Sequence, residues 1–170
     1  SLMTNELKKY LLKYTFIFTL LIPLISYIVI SGLELTKIIE INNYRKRKIL
    51  LLITFLSFYI GHLSIKKFGI SNIYPIFLLA VSFTTLIAYI VNIFYRISLH
   101  SSGIAGILAL VILITLRFKI DNLIFILFII FITTLIFISR LVLKAHKPGE
   151  LIAGYIIGFL SVFFVMYFFI

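Results

Sequence analysis

The sequence contains no cysteine and no tryptophan, and acidic residues and prolines are few. Without cysteine, disulfides and thiolate metal sites are excluded, and three scattered histidines disfavour a zinc site. We therefore predict no metal and no cofactor. Only 5 Asp and Glu oppose 16 Lys and Arg, giving a formal net charge of +11. In a chain this poor in charged residues, the basic groups must lie in loops, where they favour phosphate or anionic headgroups over nucleic acid.

Long apolar runs dominate the chain, since 63% of its residues are hydrophobic and only 12% are charged. A bilayer core needs about 20 apolar residues per helix. Six runs qualify, at 11–31, 49–65, 74–95, 102–117, 122–139 and 150–170. The strictly alternating segments of a membrane barrel are missing. We predict an all-α integral membrane protein, a six-transmembrane-helix bundle forming one domain over 1–170, in which Ser1-Leu2 is interpreted as a tag remnant.

Six spans place the loops after the first, third and fifth spans on one side of the membrane. All three loops are basic; the residues concerned are Lys37 and Arg45 to Lys48, then Arg96 and His100, then Arg140, Lys144, His146 and Lys147. Nine Lys and Arg on this side against seven on the other favour a cytoplasmic location under the positive-inside tendency. Removing the cations that a substrate would need reverses that balance, so the count leaves the orientation open.

The most specific stretch is Ser139-Arg140-x5-His146-x3-Glu150, which is followed by Gly154 and Gly158. An arginine offers forked donors to phosphate oxygens, a neutral imidazole can attack phosphorus, and a carboxylate on its far nitrogen fixes the tautomer. A helix opening at Glu150 would add free N–H groups and a positive dipole end. The residues alone also fit a basic, solvated loop at a membrane surface.

This stretch resembles the third signature of the type-2 phosphatidic acid phosphatase family, the membrane lipid phosphatases related to vanadium haloperoxidases. The family usually has Asp where this chain has Glu150, so the orienting arm is one methylene longer here. The family's second signature, Pro-Ser-Gly-His, resembles Ser101-Ser102-Gly103-Ile104, which lacks the histidine. Its first signature, Lys-x6-Arg-Pro, is degenerate, because seven residues separate Lys37 from Arg45 and no proline follows.

The resemblance implies a metal-independent phosphatase that acts on a lipid phosphate or diphosphate through a phosphohistidine on His146, with Glu150 orienting the ring. His100 stands four residues before Ile104, about one helical turn (~6 Å), and is our candidate for the missing proton donor. The implied substrate-binding residues are Arg140, Arg45, Arg47, Arg96, Ser102 and Gly103. Asn92, Arg96 and His100 recur every four residues, which predicts one polar stripe on the end of the third span.

Undecaprenyl diphosphate, lipid A phosphate, phosphatidylglycerol phosphate and phosphatidic acid present the same group to these residues, so phospholipid metabolism and the cell envelope are both open. The resemblance favours the bacterial cytoplasmic membrane, with the site facing the periplasm or outside. The rival hypothesis is an inactive relative that binds or transports an anionic lipid, which Ile104 and the broken first signature favour. A small multidrug-type transporter ranks last, because every acidic residue lies near a span end.

Two further features are interpreted as packing. His62 is expected to be hydrogen-bonded between helices, not a catalyst. Gly154-x3-Gly158 permits close helix approach, either in a homo-oligomer or within one molecule.

Overall fold

The computed structural model describes residues 5–31, 44–69 and 73–170, and Lys37 lies outside them. The described helices are α1 (Asn5–Thr15), a π-helical segment (Phe16–Leu21), α2 (Ile22–Ser31), α3 (Tyr44–Lys66), α4 (Ile73–Val91), α5 (Leu99–Phe118), α6 (Leu123–Val142) and α7 (Pro148–Phe169). The first span is the continuous run of α1, the π-helical segment and α2. Over these residues there is no strand, and six helical spans are long and apolar enough to cross a membrane. The predicted all-α integral membrane fold is confirmed.

α5 begins at Leu99, three residues before the start predicted at 102. Ser98 causes the early start, because it has extended backbone angles and its hydroxyl accepts the amide of Ser101 at 3.4 Å. A serine in this position satisfies one of the amides that a helix start leaves unpaired. His100 therefore lies in the first turn of α5, as its candidate role requires.

α4 ends at Val91, four residues before the predicted end, and the chain then turns through 92–95. The predicted polar stripe is consequently wrong. Asn92 lies in the turn, Arg96 lies in the connection and His100 lies on the next helix, so the three do not share one helix face. The sequence spacing was misleading because the backbone leaves the helix to meet α7, where the Ser98 amide donates to the Glu150 carbonyl at 3.0 Å.

The core of the bundle lies between α5, α7 and α4. Its largest buried cluster comprises Ile76, Ala80, Ala109, Leu113, Val162 and Met166. α5 and α7 approach most closely at two glycines of α7, because a Cβ added to Gly154 or Gly158 would overlap the backbone carbonyls of Ser98 and Ser102. The intramolecular interpretation of this glycine pair is confirmed, and the pair is not available to a second copy.

The outer helices are held by fewer contacts. The first span packs on α3, where Ser57 donates its hydroxyl to the Phe18 carbonyl at 2.6 Å. α6 packs principally on α5, and Ile129 is its one buried residue. His62 is buried, with its Nδ1 2.7 Å from the Pro75 carbonyl, which confirms its interpretation as a packing residue between α3 and α4.

Candidate active site

Five helix ends meet at one end of the bundle, which we call the motif end: the starts of α3, α5 and α7 and the ends of α4 and α6. Contacts between these segments are direct. The guanidinium of Arg47 on α3 donates to the Ile97 carbonyl, and the next residue, Ser98, donates its amide to Glu150 on α7. The described residues next to the three basic loops therefore lie together, on the side that the sequence predicted for those loops.

The imidazole and carboxylate of the motif form a close pair. Nδ1 of His146 lies 2.6 Å from Oε2 of Glu150, and their side chains are only 6% and 13% exposed. The same carboxylate oxygen accepts the Lys147 amide at 3.4 Å. Glu150 is the third residue of α7, which begins at Pro148, and its bond to the Lys147 amide is one half of a capping box. The helix start fixes the carboxylate, and the carboxylate fixes the imidazole.

This geometry gives the two ring nitrogens of His146 different roles. With the carboxylate on Nδ1, that nitrogen carries the hydrogen and the lone pair of the ring lies on Nε2. The longer arm of Glu150 reaches the ring at hydrogen-bond distance, so the difference from the family's Asp leaves the pair intact.

Arg140 lies in the last turn of α6, half-buried, six residues before His146. The turn between them is closed by two backbone bonds, from Lys144 to Leu141 and from Ala145 to Arg140, each 3.0 Å. Lys144 has a φ of 51°, the left-handed conformation common at helix C-termini. This turn holds Arg140 at the same end of the bundle as the pair of His146 and Glu150.

The start of α5 supplies the second part of the site. His100 is exposed in the first turn, whereas Ile104, one turn later, packs on the cluster of Leu108, Val111 and Ile129 between α5 and α6. An apolar residue at position 104 thus has a packing role, and the imidazole of His100 lies one turn closer to the motif end.

Ser102 and Gly103 lie too far inside α5 to offer the unpaired backbone amides of a helix start. Because α5 begins earlier, the Ser102 amide is already bonded to the Ser98 carbonyl at 3.1 Å. The Ser102 hydroxyl, by contrast, is buried and has no hydrogen-bond partner within 5–31, 44–69 and 73–170. Gly103 is exposed, and a Cβ added to it would meet nothing within 4 Å. Any contact from Ser102 to substrate therefore involves its hydroxyl, not its amide.

The sequence did not reveal the residues that join α5 to α7. The Ser101 hydroxyl donates to the Leu151 carbonyl at 2.6 Å, one residue beyond the bond between Ser98 and Glu150. Both serines are fully buried. A serine just before an apolar run is a helix-start signal, so the capping role of Ser98 could be predicted from the sequence. Its hydrogen bond to Glu150 could not.

The three other predicted arginines occupy different surroundings. Arg47 is half-buried and its guanidinium bonds the Ile97 carbonyl, which gives it a structural role beside any contact with phosphate. Arg45 is exposed in the first turn of α3, and Arg96 is half-buried, one residue before Ile97. All three lie at the motif end. Over the described ranges, no group of three or more His, Asp or Glu side chains is placed to hold a metal ion.

The motif end thus combines an oriented imidazole, a second imidazole and several guanidinium groups beside an apolar interior. Comparison with known proteins points to the same chemistry: the family model described as the PAP2 superfamily matches residues 49–170. No curated protein and no solved structure matches the chain.

Proposed function

The chain belongs to the PAP2 superfamily, whose members are phosphatases, and from this we propose that it hydrolyses a lipid phosphate or diphosphate through a phosphohistidine on His146. The observation that carries the proposal is the 2.6 Å contact between His146 Nδ1 and a largely buried Glu150 carboxylate. A loop that only attracted headgroups would not need an imidazole oriented by a carboxylate.

In the first step, Nε2 of His146 attacks phosphorus while the bond from phosphorus to the leaving oxygen breaks. Glu150 stabilises the positive charge that develops on the ring. His100 donates its proton to the leaving oxygen, which departs as an alcohol or, from a diphosphate, as a lipid monophosphate.

In the second step, a water molecule attacks the phosphohistidine, and His100 accepts its proton. The bond from nitrogen to phosphorus breaks, which releases inorganic phosphate and restores His146. Arg140 supplies the forked donors for the equatorial oxygens, with Arg45, Arg47 and Arg96 adding positive charge around them. This chemistry calls on no metal.

The protein is an integral membrane protein, and we place it in the bacterial cytoplasmic membrane with the motif end toward the periplasm or outside. There the four candidate lipids, undecaprenyl diphosphate, lipid A phosphate, phosphatidylglycerol phosphate and phosphatidic acid, all offer the same phosphate group.

The test is phosphate release by detergent-purified protein on those four lipids, with EDTA present. The His146→Ala variant should lose at least about 1,000-fold in kcat, because the nucleophile is absent. Glu150→Gln should lose about 10- to 100-fold and Glu150→Asp less, because a shorter carboxylate can still reach the ring. Rapid quenching with labelled substrate should trap an acid-labile phosphohistidine in the parent protein alone. Equal turnover by the His146→Ala variant would contradict the proposal.

The second candidate is a relative without turnover that binds or transports an anionic lipid. The bond from Arg47 to the Ile97 carbonyl favours it, since that guanidinium has a structural use. Under this hypothesis a labelled phospholipid would bind the parent protein, and no lipid of the panel would release phosphate.

A further inference from the structure

A partly open cavity of about 350 Å³ lies between the first span, α3, α4, α5 and α7. At the motif end it is lined by Ser102 and Gly103 of α5. Toward the opposite end it is lined by Tyr74, in the first turn of α4. The cavity therefore starts at two of the predicted substrate-binding residues and continues toward the opposite end of the bundle.

Almost every polar side chain in the cavity wall has a partner. Thr15, Thr19 and Thr84 each donate to the carbonyl four residues earlier in their own helix, at 2.7 to 2.9 Å. Tyr74 donates to the Thr15 hydroxyl. Because these hydroxyls are satisfied, the wall offers an occupant mainly methyl, methylene and aromatic groups. Such a lining suits hydrocarbon and disfavours water.

Ser102 is the exception, because it is 4% exposed and its Oγ is one of two buried side-chain polar atoms without a partner over the described residues. A buried hydroxyl without a partner costs free energy, so its position calls for an explanation. A hydroxyl rotates about one bond, which allows Ser102 to donate to an oxygen at the head of a chain in the cavity. The unsatisfied atom lies at the cavity end nearest the motif end.

The dimensions of the cavity fit one chain. From Tyr74 to Thr84, α4 advances about 15 Å along its axis. The cavity volume of about 350 Å³ lies at the lower end of the range for ligand sites, which suits one extended chain of about that length.

We propose that this cavity is a tail site, which holds one hydrocarbon chain of a lipid phosphate while the Ser102 hydroxyl contacts the oxygen at its head. The substrate class is then a phosphate carried by a single long chain, such as a prenyl or alkyl phosphate. The proposal rests on the proposed function, because it assigns the chain of the lipid that His146 would attack.

Part of the cavity wall comes from the first span. Thr15 and Thr19 of that span line the cavity, and Thr19 lies in the π-helical segment. Single π-turns occur frequently at functional sites. The span lies outside residues 49–170, so membership of the superfamily does not by itself imply this part of the cavity.

Binding can be measured without turnover, because the chain contains no tryptophan. Phe58 lines the cavity, so the Phe58→Trp variant carries a single reporter there. Phe83→Trp is the matched control, since Phe83 is 42% exposed and is not part of the cavity wall. Both are made with His146→Ala in phosphatidylcholine nanodiscs and titrated with dodecyl phosphate brominated along its chain, or with equally brominated dodecyl maltoside.

We expect saturable quenching of the Phe58→Trp reporter by the brominated phosphate. Excess unbrominated dodecyl phosphate should reverse it, and inorganic phosphate should not. The Phe83→Trp reporter should show only the unsaturable quenching of a chain dissolved in lipid. Ser102→Ala should weaken the saturable phase about fivefold, as expected for one hydrogen bond. Absence of a saturable phase, or an equal phase with the maltoside, would overturn the tail site.

A second measurement uses the active protein. Val81→Phe fills the cavity from α4, and Ile87→Phe makes the same change on the exposed side of that helix. Val81→Phe should raise KM at least tenfold for dodecyl phosphate and leave KM for butyl phosphate within twofold, while Ile87→Phe changes neither. Equal effects on both substrates would contradict the proposal. Saturable quenching in a protein that hydrolyses no lipid would support the tail site and overturn the proposed function.

Discussion

α7 and α6 carry the two halves of one motif, yet they are held very differently. α7 carries Glu150 and contacts α5 through the backbone at Gly154 and Gly158 and through hydrogen bonds at 150 and 151. α6 carries Arg140 and buries only Ile129. The two helices are nearly equal in length, with 22 and 20 residues, so length does not explain the difference.

The difference follows the demands of the proposed chemistry. A nucleophile must be held to within a fraction of an ångström, and the backbone contacts of α7 provide that precision. A guanidinium that binds phosphate from a long side chain tolerates small shifts of its helix. The apolar faces of α6 can therefore contact lipid while the helix still presents Arg140.

The largest effect is expected from breaking the contact between α7 and α5. Gly158→Ala places a Cβ in overlap with the Ser102 carbonyl, so the two helices must separate, at a cost of at least about 3 kcal/mol. Thermal unfolding in detergent measures this cost. Gly103→Ala is the control, because its Cβ has open space and should gain about 0.5–1 kcal/mol in the helix. Similar melting temperatures for the two variants would contradict the tight anchoring of α7.

A smaller, purely functional effect is expected on α6. Arg140→Ala should lower kcat/KM about 10- to 100-fold, because charge-assisted bonds to phosphate are lost, with little change in stability. Arg117→Ala is the matched control, since Arg117 is an exposed arginine in the last turn of α5 at the opposite end of the bundle. If both variants lose activity equally, the effect reflects overall charge and not a site at the motif end.

The smallest effect is expected from removing a single hydroxyl, either one that bonds α7 or one on α6. Ser101→Ala removes the buried bond to the Leu151 carbonyl and should cost about 1–2 kcal/mol. Thr134→Ala removes a hydroxyl that bonds its own α6 backbone at 3.1 Å, and it should change stability by less than about 0.5 kcal/mol. Chemical denaturation of the two variants measures both values. Equal values would mean that α6 is anchored as firmly as α7.

The fold was predictable because apolar length is a strong local signal. Each of the six predicted spans corresponds to a helical span of the described residues. Helix ends were less predictable. The end of α4 and the start of α5 depend on the hydrogen bond from the Ser98 amide to the Glu150 carbonyl. Glu150 lies 52 residues further along the chain, so local sequence does not reveal this bond.

The pair of His146 and Glu150 was predictable because both residues lie in one short segment with a helix start between them. The role of the serines at 98, 101 and 102 was not predictable, because each depends on the register between α5 and α7. Spacing alone also suggested a stripe through Asn92, Arg96 and His100, which requires one helix to continue where the structure has two.

The π-helical segment in the first span has a consequence for the phase of that helix. A π-turn accommodates one residue more than an α-turn, so the face that α1 presents is rotated by about 100° relative to an uninterrupted α-helix. That rotation affects which side chains of α1 face the other helices. Thr15, the last residue of α1, accepts the hydroxyl of Tyr74 on the side that this phase presents. The change of helix type thus contributes to which side of α1 meets the rest of the bundle.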